Sequence, residues 1–278
     1  MNYSKNEQVN LMFYNKTYEN VNFGKHQILY ENFDTEFLRL KQTHASWNKI
    51  FNKNLITDFN DKFILEVGAG DCYHALAFSL LGAKVFINDI SPKTREIVKF
   101  INIKFKLRNP MIVVEEDLKQ IQINQKFDII IGIAFIHHLD EELEERIIQT
   151  LRPLLKEKGK MYFFEPISNS VILKLMKDLF PSRDRPSILF YKRFKSYRQN
   201  LDPHPVRDNS SKHYIKMAKK TQLNPEIYCY GLLYNLVSLF PSRKKFLLES
   251  DNQIEKLIFF KWVINKFGRN AIIEYRLK

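Results

Sequence analysis

The residues best suited to chemistry begin at a glycine-containing turn, Glu66-Val-Gly-Ala-Gly70, which directly follows the apolar run FIL. Glycine adopts backbone conformations that other residues avoid, so the main chain of such a turn can approach a ligand closely. Where a strand turns into a helix, the first backbone N–H groups also favour anionic ligands. A dinucleotide fingerprint needs a third glycine where Tyr73 stands. The pattern therefore predicts a nucleotide-contacting turn but leaves the dinucleotide fingerprint incomplete.

Two carboxylates follow at the ends of later apolar runs. Asp89 lies 19 residues after Gly70, at the end of AKVFIND, and Asp117 follows MIVVEE. A carboxylate at the end of the second strand can accept hydrogen bonds from both hydroxyls of a ribose. Taken singly, either aspartate could simply cap a helix or a turn. Their joint spacing after the glycine turn instead favours a nucleotide cofactor.

The elements that position these residues alternate along the chain. Short strands are predicted at 62–67, 83–89, 111–117, 126–135 and 160–166, separated by amphipathic segments of helical length. This alternation is typical of a parallel sheet covered by helices on both faces. Ligands bind such sheets beyond the carboxyl ends of the strands. After residue 166, helices are predicted at 167–180, 209–222 and 250–267, with a basic loop at 181–207.

Taken together, these motifs resemble those of class I, Rossmann-like S-adenosylmethionine-dependent methyltransferases. EVGAG is similar to the family's E-x-G-x-G turn, with Cys72 in place of its usual third glycine, and FDIIIGIAFIHHL is similar to its fourth strand. EKGKMYFFEP resembles the entry to its fifth strand, and EPISNSVILKLMKDLFP resembles a bacterial small-molecule subgroup. The resemblance is strongest over residues 60–166 and continues loosely to the C-terminus.

The resemblance implies an α/β fold with a Rossmann-like, doubly wound, seven-stranded sheet. This sheet is mostly parallel and ends in an antiparallel hairpin. We expect residues 1–55 to form a helical N-terminal cap or lid, and residues 56–278 to form the methyltransferase domain. Within that domain, the cofactor core is expected at 60–166 and substrate-side elaborations at 167–268.

The resemblance also implies S-adenosyl-L-methionine as the cofactor. The residues expected to bind it are Glu66, Gly68, Ala69, Gly70, Asp89, Ile90, Asp117, Leu118, Gly132 and Ile133, with Tyr14 and Tyr18 in the lid. His137 or His138 is the candidate general base, and Glu165 is a candidate for orienting a hydroxyl or an amine. The alternative for the histidines is a structural role in the loop. No residues show the spacing of a metal site, so none is predicted.

The predicted activity is methyl transfer to an oxygen or nitrogen of a small metabolite, a sugar or a lipid headgroup. The chain lacks the Asn-Pro-Pro-Tyr and Asp-Pro-Pro-Tyr elements that the family uses on base amines, which argues against amino-methylation of DNA. Three alternatives stay open: a nicotinamide dehydrogenase, which Tyr73 disfavours; a non-catalytic cofactor-binding or partner module; and an RNA-directed methyltransferase. No RNA-binding motif accompanies the last alternative.

The charge distribution bears on the partner. The net charge is +13, yet residues 1–166 hold 22 Lys+Arg and 22 Asp+Glu, so the whole excess lies in residues 167–278. We expect an anionic substrate or partner there, with codon bias as the alternative. The run LIFFKWV at 257–263, beside Lys256 and Lys266, suggests peripheral contact with an anionic membrane, but packing onto the protein's own domain is the favoured expectation. Oligomeric state is left undetermined.

Location in the cell is predicted from composition. The start MNYSKNEQVN lacks the basic and apolar regions of a signal peptide, and no run of about 18 apolar residues occurs. The two cysteines, Cys72 and Cys229, suggest a reducing compartment. We therefore expect a cytoplasmic protein.

Overall fold

The strands form one seven-stranded sheet in a computed structural model that describes residues 3–170, 175, 179, 186–200, 202, 204–238 and 240–278. The strands are β1 (Phe63–Val67), β2 (Lys84–Asn88), β3 (Ile112–Val113), β4 (Phe127–Ile133), β5 (Leu155–Pro166), β6 (Leu223–Tyr230) and β7 (Asn270–Leu277). Their order in the sheet is β3-β2-β1-β4-β5-β7-β6. The pairs from β3 to β5 are parallel, whereas β7 is antiparallel to both neighbours. The predicted mostly parallel sheet with a terminal antiparallel hairpin is confirmed.

Eleven α-helices accompany the sheet in the described ranges. They are α1 (Lys5–Thr17), α2 (Gly24–Glu31), α3 (Phe33–Thr43), α4 (Ala45–Asn52), α5 (Tyr73–Leu80), α6 (Lys93–Lys104), α7 (Glu141–Leu151), α8 (Tyr191–Asn200), α9 (Ser211–Lys220), α10 (Lys244–Lys256) and α11 (Lys261–Phe267). Two buried apolar clusters contain most of the central strand residues, because helices cover both faces of the sheet. None of the helices in these ranges has the length and apolar character that a bilayer crossing requires.

The strand order creates a crevice at the centre of the sheet. From β1 the chain proceeds to β2 and β3 on one side, and it then crosses to β4 on the other side of β1. Loops leaving β1 and β4 therefore diverge at their carboxyl ends, which is where open α/β sheets bind ligands. This topology places the glycine turn after β1 opposite the His-His segment after β4.

The N-terminal helices pack against two parts of the sheet domain. Trp47 in α4 is fully buried, and its indole N–H donates a hydrogen bond to Nδ1 of His74 in α5 at 2.7 Å. The ammonium group of Lys49, also buried in α4, forms an ion pair with Glu255 of α10 at 2.7 Å. These contacts hold the N-terminal helices against both α5 and α10.

The C-terminal region differs from the sequence prediction in two places. The predicted loop at 181–207 contains helix α8, and the single helix predicted at 250–267 is divided into α10 and α11 by a 3₁₀ turn over Ile258–Phe260. Leu257, which precedes that turn, is extended, with φ −86° and ψ 109°. An Ile-Phe-Phe run has a low helix propensity, which favours a break there. Of the helix predicted at 167–180, most residues lie outside the described ranges.

Candidate functional site

A cavity of about 540 Å³ lies at the carboxyl ends of the central strands. Its size falls within the range of about 300–1,000 Å³ that is usual for small-molecule sites. Predicted cofactor residues in its wall are Gly68, Asp89, Ile90, Asp117, Leu118, Ile133, Tyr14 and Tyr18. Of the catalytic candidates, His138 is in the wall. The wall of this cavity, as far as the structure describes it, does not include Glu66, Ala69, Gly70, Gly132, His137 or Glu165.

The turn after β1 is tight, and its two glycines are required by its backbone. Gly68 and Gly70 have φ values of +66° and +59°, and a Cβ on Gly68 would collide with the Phe135 ring. A Cβ on Gly70 would lie 2.6 Å from the Tyr18 hydroxyl. Cys72 keeps the left-handed conformation as well, with φ 61°, although it stands where the family usually has its third glycine. The substitution therefore preserves the shape of the turn.

Asp89 links the end of β2 to this turn. One carboxylate oxygen accepts the Gly70 N–H and the other accepts the Ser91 N–H, both at 2.8 Å. Burial raises the pKa of Asp89, while these hydrogen bonds oppose that shift. A carboxylate offers about four acceptor positions, and these two backbone N–H groups occupy two of them.

Asp117 is held in the cavity wall by a series of ion pairs. Its carboxylate accepts the backbone N–H of Lys119 at 2.9 Å and lies 3.2 Å from the Lys119 ammonium group. That ammonium also pairs with Glu7 of α1 at 2.8 Å. The loop after β3 is thereby joined to the N-terminal helix across one side of the cavity.

Helix α1 forms part of the cavity wall. The Asn6 and Asn10 amides donate to the carbonyl oxygen of His138, at 2.7 and 3.3 Å. Ser91 donates its hydroxyl to the Asn15 side chain at 2.6 Å. The helix starts with a capping box formed by Ser4 and Glu7. We call α1 and its C-cap residue Tyr18 the lid, because α1 joins the loops after β2, β3 and β4.

Two tyrosines of the lid lie over the centre of the cavity. The rings of Tyr14 and Tyr18 are stacked, with centroids 5.7 Å apart, and the Tyr14 hydroxyl is 2.9 Å from Nε2 of His138. Burial, assisted by the negative charge of Asp89, raises the pKa of both tyrosines, so both hydroxyls keep their protons.

His137 and Glu165 lie behind the cavity wall. One Glu165 oxygen accepts the N–H groups of Phe135 and Ile136, both at 2.9 Å, and the other lies 2.5 Å from Nδ1 of His137. Glu165 and His137 are both buried. This arrangement lets Glu165 shape the loop that presents His138 to the cavity.

The loop after β4 has a second support that was not predicted from the sequence. The buried guanidinium group of Arg207 donates to the carbonyl oxygens of Ile136 and Leu139, at 2.8 and 2.6 Å, and also pairs with Glu144 of α7. Arg207 lies far from this loop in the chain and belongs to no motif, so only the tertiary structure reveals the contact.

Glu66 is buried beneath the glycine turn. Its Oε2 has no hydrogen-bond partner among the described residues. Burial raises its pKa well above the ordinary value, and the negative charges of Asp71 and Asp89 add to the shift. The protonation state of Glu66 can therefore affect the glycine turn above it.

Comparison with known proteins agrees with this geometry. The family described as "Methyltransferase domain" matches residues 64–159. The matched segment runs from β1 to the start of β5, and so includes the glycine turn, Asp89, Asp117 and the His-His segment. Among curated proteins, no sequence match was found.

Solved structures share the fold at low sequence identity. An S-adenosylmethionine-dependent methyltransferase from Mesorhizobium loti superposes with a TM-score of 0.55 at 13% identity, over 84% of this chain and 97% of that chain. Magnesium protoporphyrin IX methyltransferase from Synechocystis PCC 6803, solved with bound SAH, gives a TM-score of 0.54 at 14% identity, over 99% and 100% of the two chains. The chain therefore has the Rossmann-like fold of these solved methyltransferases, and its residues 64–159 match the methyltransferase-domain family.

Proposed function

We propose that the protein transfers a methyl group from S-adenosylmethionine to an oxygen or nitrogen atom of a small acceptor. The observation that carries this proposal is the cavity in which Asp89, Asp117 and the Tyr14–His138 pair line one wall beneath the lid. The two aspartates suit a nucleoside, and the histidine suits an acceptor that must lose a proton.

The residues present fit the cofactor. Asp89 offers its remaining acceptor positions to the ribose hydroxyls, and Asp117 is placed to accept the adenine amine. The side chains of Ile90 and Leu118 give the same wall an apolar surface for the base. The stacked rings of Tyr14 and Tyr18 are suited to a sulfonium, because aromatic faces attract cations. We assign Gly68 and Gly70 to the close approach of the backbone, with Ala69 between them.

Transfer itself depends on positioning and on the exclusion of water, since the reaction disperses positive charge. The methyl carbon forms its bond to the acceptor as its bond to sulfur breaks, and the sulfur becomes a neutral thioether. In this proposal His138 takes the proton that the acceptor loses. His137 and Glu165 act through the loop that holds His138, whose imidazole is kept in place by Tyr14.

An anionic acceptor or a lipid headgroup is the acceptor class that we favour. Basic side chains are exposed in α8 and at the start of α10, among them Lys192, Arg193, Lys195 and Lys245. Five apolar side chains are also exposed beside Lys256 and Lys266, and we call Leu257, Ile258, Phe259, Phe260 and Trp262 the apolar patch. The expected packing of these residues onto the domain is wrong, since Ile258 and Phe259 are 88% and 92% exposed. This patch supports peripheral contact with an anionic membrane.

The two cysteines and the apolar patch bear on the location of the protein and on its partner. Cys72 and Cys229 are both free and buried, which supports a reducing, cytoplasmic location. The exposed aliphatic side chains Leu257 and Ile258 of the patch favour a lipid surface over RNA, because bases stack on aromatic side chains and not on aliphatic ones.

Calorimetric titration with S-adenosylmethionine, its demethylated product and NAD tests the cofactor assignment. We expect the first two to bind and NAD not to bind. Formation of the demethylated product is then followed by mass spectrometry with pools of phosphorylated, carboxylated and lipid acceptors. Turnover supports the enzyme proposal. Cofactor binding without turnover on any pool would favour the non-catalytic module instead.

A further inference from the structure

Three histidines meet beside the cavity. His137 and His138 follow β4, whereas His204 belongs to the segment between α8 and α9. The His204 ring stacks on both others, with centroids 5.0 Å from His137 and 4.5 Å from His138. One ring nitrogen of each residue lies within 4.8 Å of the other two. We call these three residues the histidine cluster.

Each ring in the cluster has one nitrogen bonded to an oxygen atom outside it. Nδ1 of His137 lies 2.5 Å from the Glu165 carboxylate, and Nδ1 of His204 lies 2.6 Å from the Asp202 carboxylate. Nε2 of His138 lies 2.9 Å from the Tyr14 hydroxyl. Histidines that ligate metals almost always have such an outer partner, which fixes the tautomer and the orientation of the ring.

We propose that the histidine cluster is a binding site for a divalent transition-metal ion, with Zn²⁺ as the best fit. One ring nitrogen of each histidine would ligate the ion, as the distances among the three residues allow. Three imidazoles suit zinc, nickel, copper or iron, whereas magnesium and calcium prefer oxygen ligands.

The dimensions and the charges are compatible with such an ion. Ligand nitrogens about 2.0–2.1 Å from a tetrahedral zinc are about 3.3 Å apart, so the cluster must close by no more than about 1.5 Å. The His204 ring, whose plane is 17° from that of His137 and 24° from that of His138, must also turn out of the stack on binding the ion, because the lone pairs lie in the ring planes. Glu165 and Asp202 are buried and supply negative charge behind two of the ligands.

The position of the cluster gives the ion a role that rests on the proposed methyl transfer. His138 lines the cavity, so an ion on this histidine lies at the cavity wall. Three-histidine sites leave a coordination position open for water or a substrate oxygen. An acceptor hydroxyl bound there loses its proton to solvent more readily, and the resulting oxygen anion takes the methyl group. In the metal-bound protein His138 is a ligand, whereas in the metal-free protein it is the candidate general base.

Metal binding is measured on the full-length protein without any methyl acceptor. After treatment with EDTA and exchange into metal-free buffer, the protein is titrated with Zn²⁺ against a chromophoric chelator, and bound metal is counted by mass spectrometry. We expect one Zn²⁺ per chain, visible absorption typical of tetrahedral coordination when Co²⁺ is substituted, and no competition from Mg²⁺. A chain that binds less than stoichiometric Zn²⁺ at micromolar concentrations overturns the site.

Variants locate the ion. His204→Ala should weaken Zn²⁺ binding at least about 100-fold, and Asp202→Asn about 10- to 100-fold through loss of the outer carboxylate. His26→Gln is the matched control, because His26 bonds the Asp71 carbonyl away from the cluster. Because His204 pairs with the buried Asp202 carboxylate, circular dichroism at the assay temperature checks that the metal-free His204→Ala protein is folded before its Zn²⁺ affinity is compared. Unchanged Zn²⁺ affinity in His204→Ala refutes the site.

The inference and the proposed function fail separately. Methyl transfer that persists in EDTA while the protein binds no Zn²⁺ refutes the metal site and leaves the methyltransferase proposal intact. Stoichiometric Zn²⁺ binding that depends on His204, in a protein that transfers no methyl group, supports the site and refutes the proposed function.

Discussion

The Tyr14 hydroxyl lies 2.9 Å from Nε2 of His138, which joins the lid to the loop after β4 directly above the cavity. Because Tyr14 keeps its proton, it can fix the orientation of the imidazole before any ligand arrives. The same residue therefore lines the cavity and positions the candidate base.

Replacement of the two adjacent histidines should have different effects. His138→Ala removes the group in the cavity wall, so turnover should fall by about 10²–10⁴ while cofactor affinity stays near normal. His137→Ala removes the buried partner of Glu165 and should lower the free energy of unfolding by about 1–3 kcal/mol. Turnover assays, calorimetry and urea unfolding of each variant separate the two roles. A fully active double variant would eliminate both.

Asp89→Ala should weaken cofactor binding. The variant loses charge-assisted hydrogen bonds to the ribose, which contribute on the order of 1.5–3 kcal/mol, so the dissociation constant should rise about 10- to 100-fold. Asp128→Ala is the control, since Asp128 pairs with Lys156 at the opposite end of β4. Calorimetry that gives equal affinities for Asp89→Ala and the wild type contradicts the assignment of Asp89.

Glu66→Gln should stabilise the protein at alkaline pH. The pKa of Glu66 is raised above its ordinary value of 4.5 in the folded state, so the folded protein retains a proton that the unfolded chain releases. Protonated Glu66 therefore contributes its full stabilisation at pH values below 4.5, and this stabilisation is lost as the pH rises through the raised folded-state pKa. Urea unfolding should show equal stability near pH 4 and a more stable variant at about pH 8. A difference that does not change with pH would show that Glu66 does not titrate in this range.

Acidification should loosen the packing of α4 on α5. Burial lowers the pKa of His74 to about 4 and that of His44 to about 3. These folded-state pKa values lie below the ordinary histidine pKa of 6.5. The two neutral imidazoles therefore contribute their full stabilisation above pH 6.5 and lose it as the pH falls toward about 4. In a Trp262→Phe background, Trp47 fluorescence during urea unfolding reports the loss. Adding His44→Gln and His74→Gln should flatten the pH dependence, and an equally steep dependence in that variant assigns it to other groups.

The apolar patch should bind anionic vesicles in a salt-dependent manner. Vesicles of phosphatidylcholine and phosphatidylserine should carry the protein in flotation at low salt, with less carried at high salt. Phe259→Ser with Trp262→Ser removes two large side chains, each contributing about 1.5–3 kcal/mol when buried, so partitioning should fall at least about tenfold. Ile103→Ser in α6 is the control, because Ile103 is similarly exposed. Flotation equal in all three proteins would rule out a role for the patch.

The sequence by itself determined the central sheet and the cofactor side of the site. Gly68, Asp89 and Asp117 follow three consecutive strands, and their common location in the cavity wall follows from a local rule: carboxyl ends of parallel strands share one edge of the sheet. The period of apolar residues likewise specified β1, β2, β4 and β5, because strands buried on both faces read as continuous apolar runs.

Only the tertiary structure decided the other side of the site. His204 lies 66 residues after His138 and beyond a variable segment, so no spacing rule connects them, although their rings stack. Arg207 also contacts the loop after β4 from a distant part of the chain, and no sequence motif marks it. The apolar patch depends on a helix break at Leu257, and periodicity cannot distinguish an apolar run that packs onto the domain from one that stays exposed. Contacts between distant segments are set by packing, which a pattern along the chain does not encode.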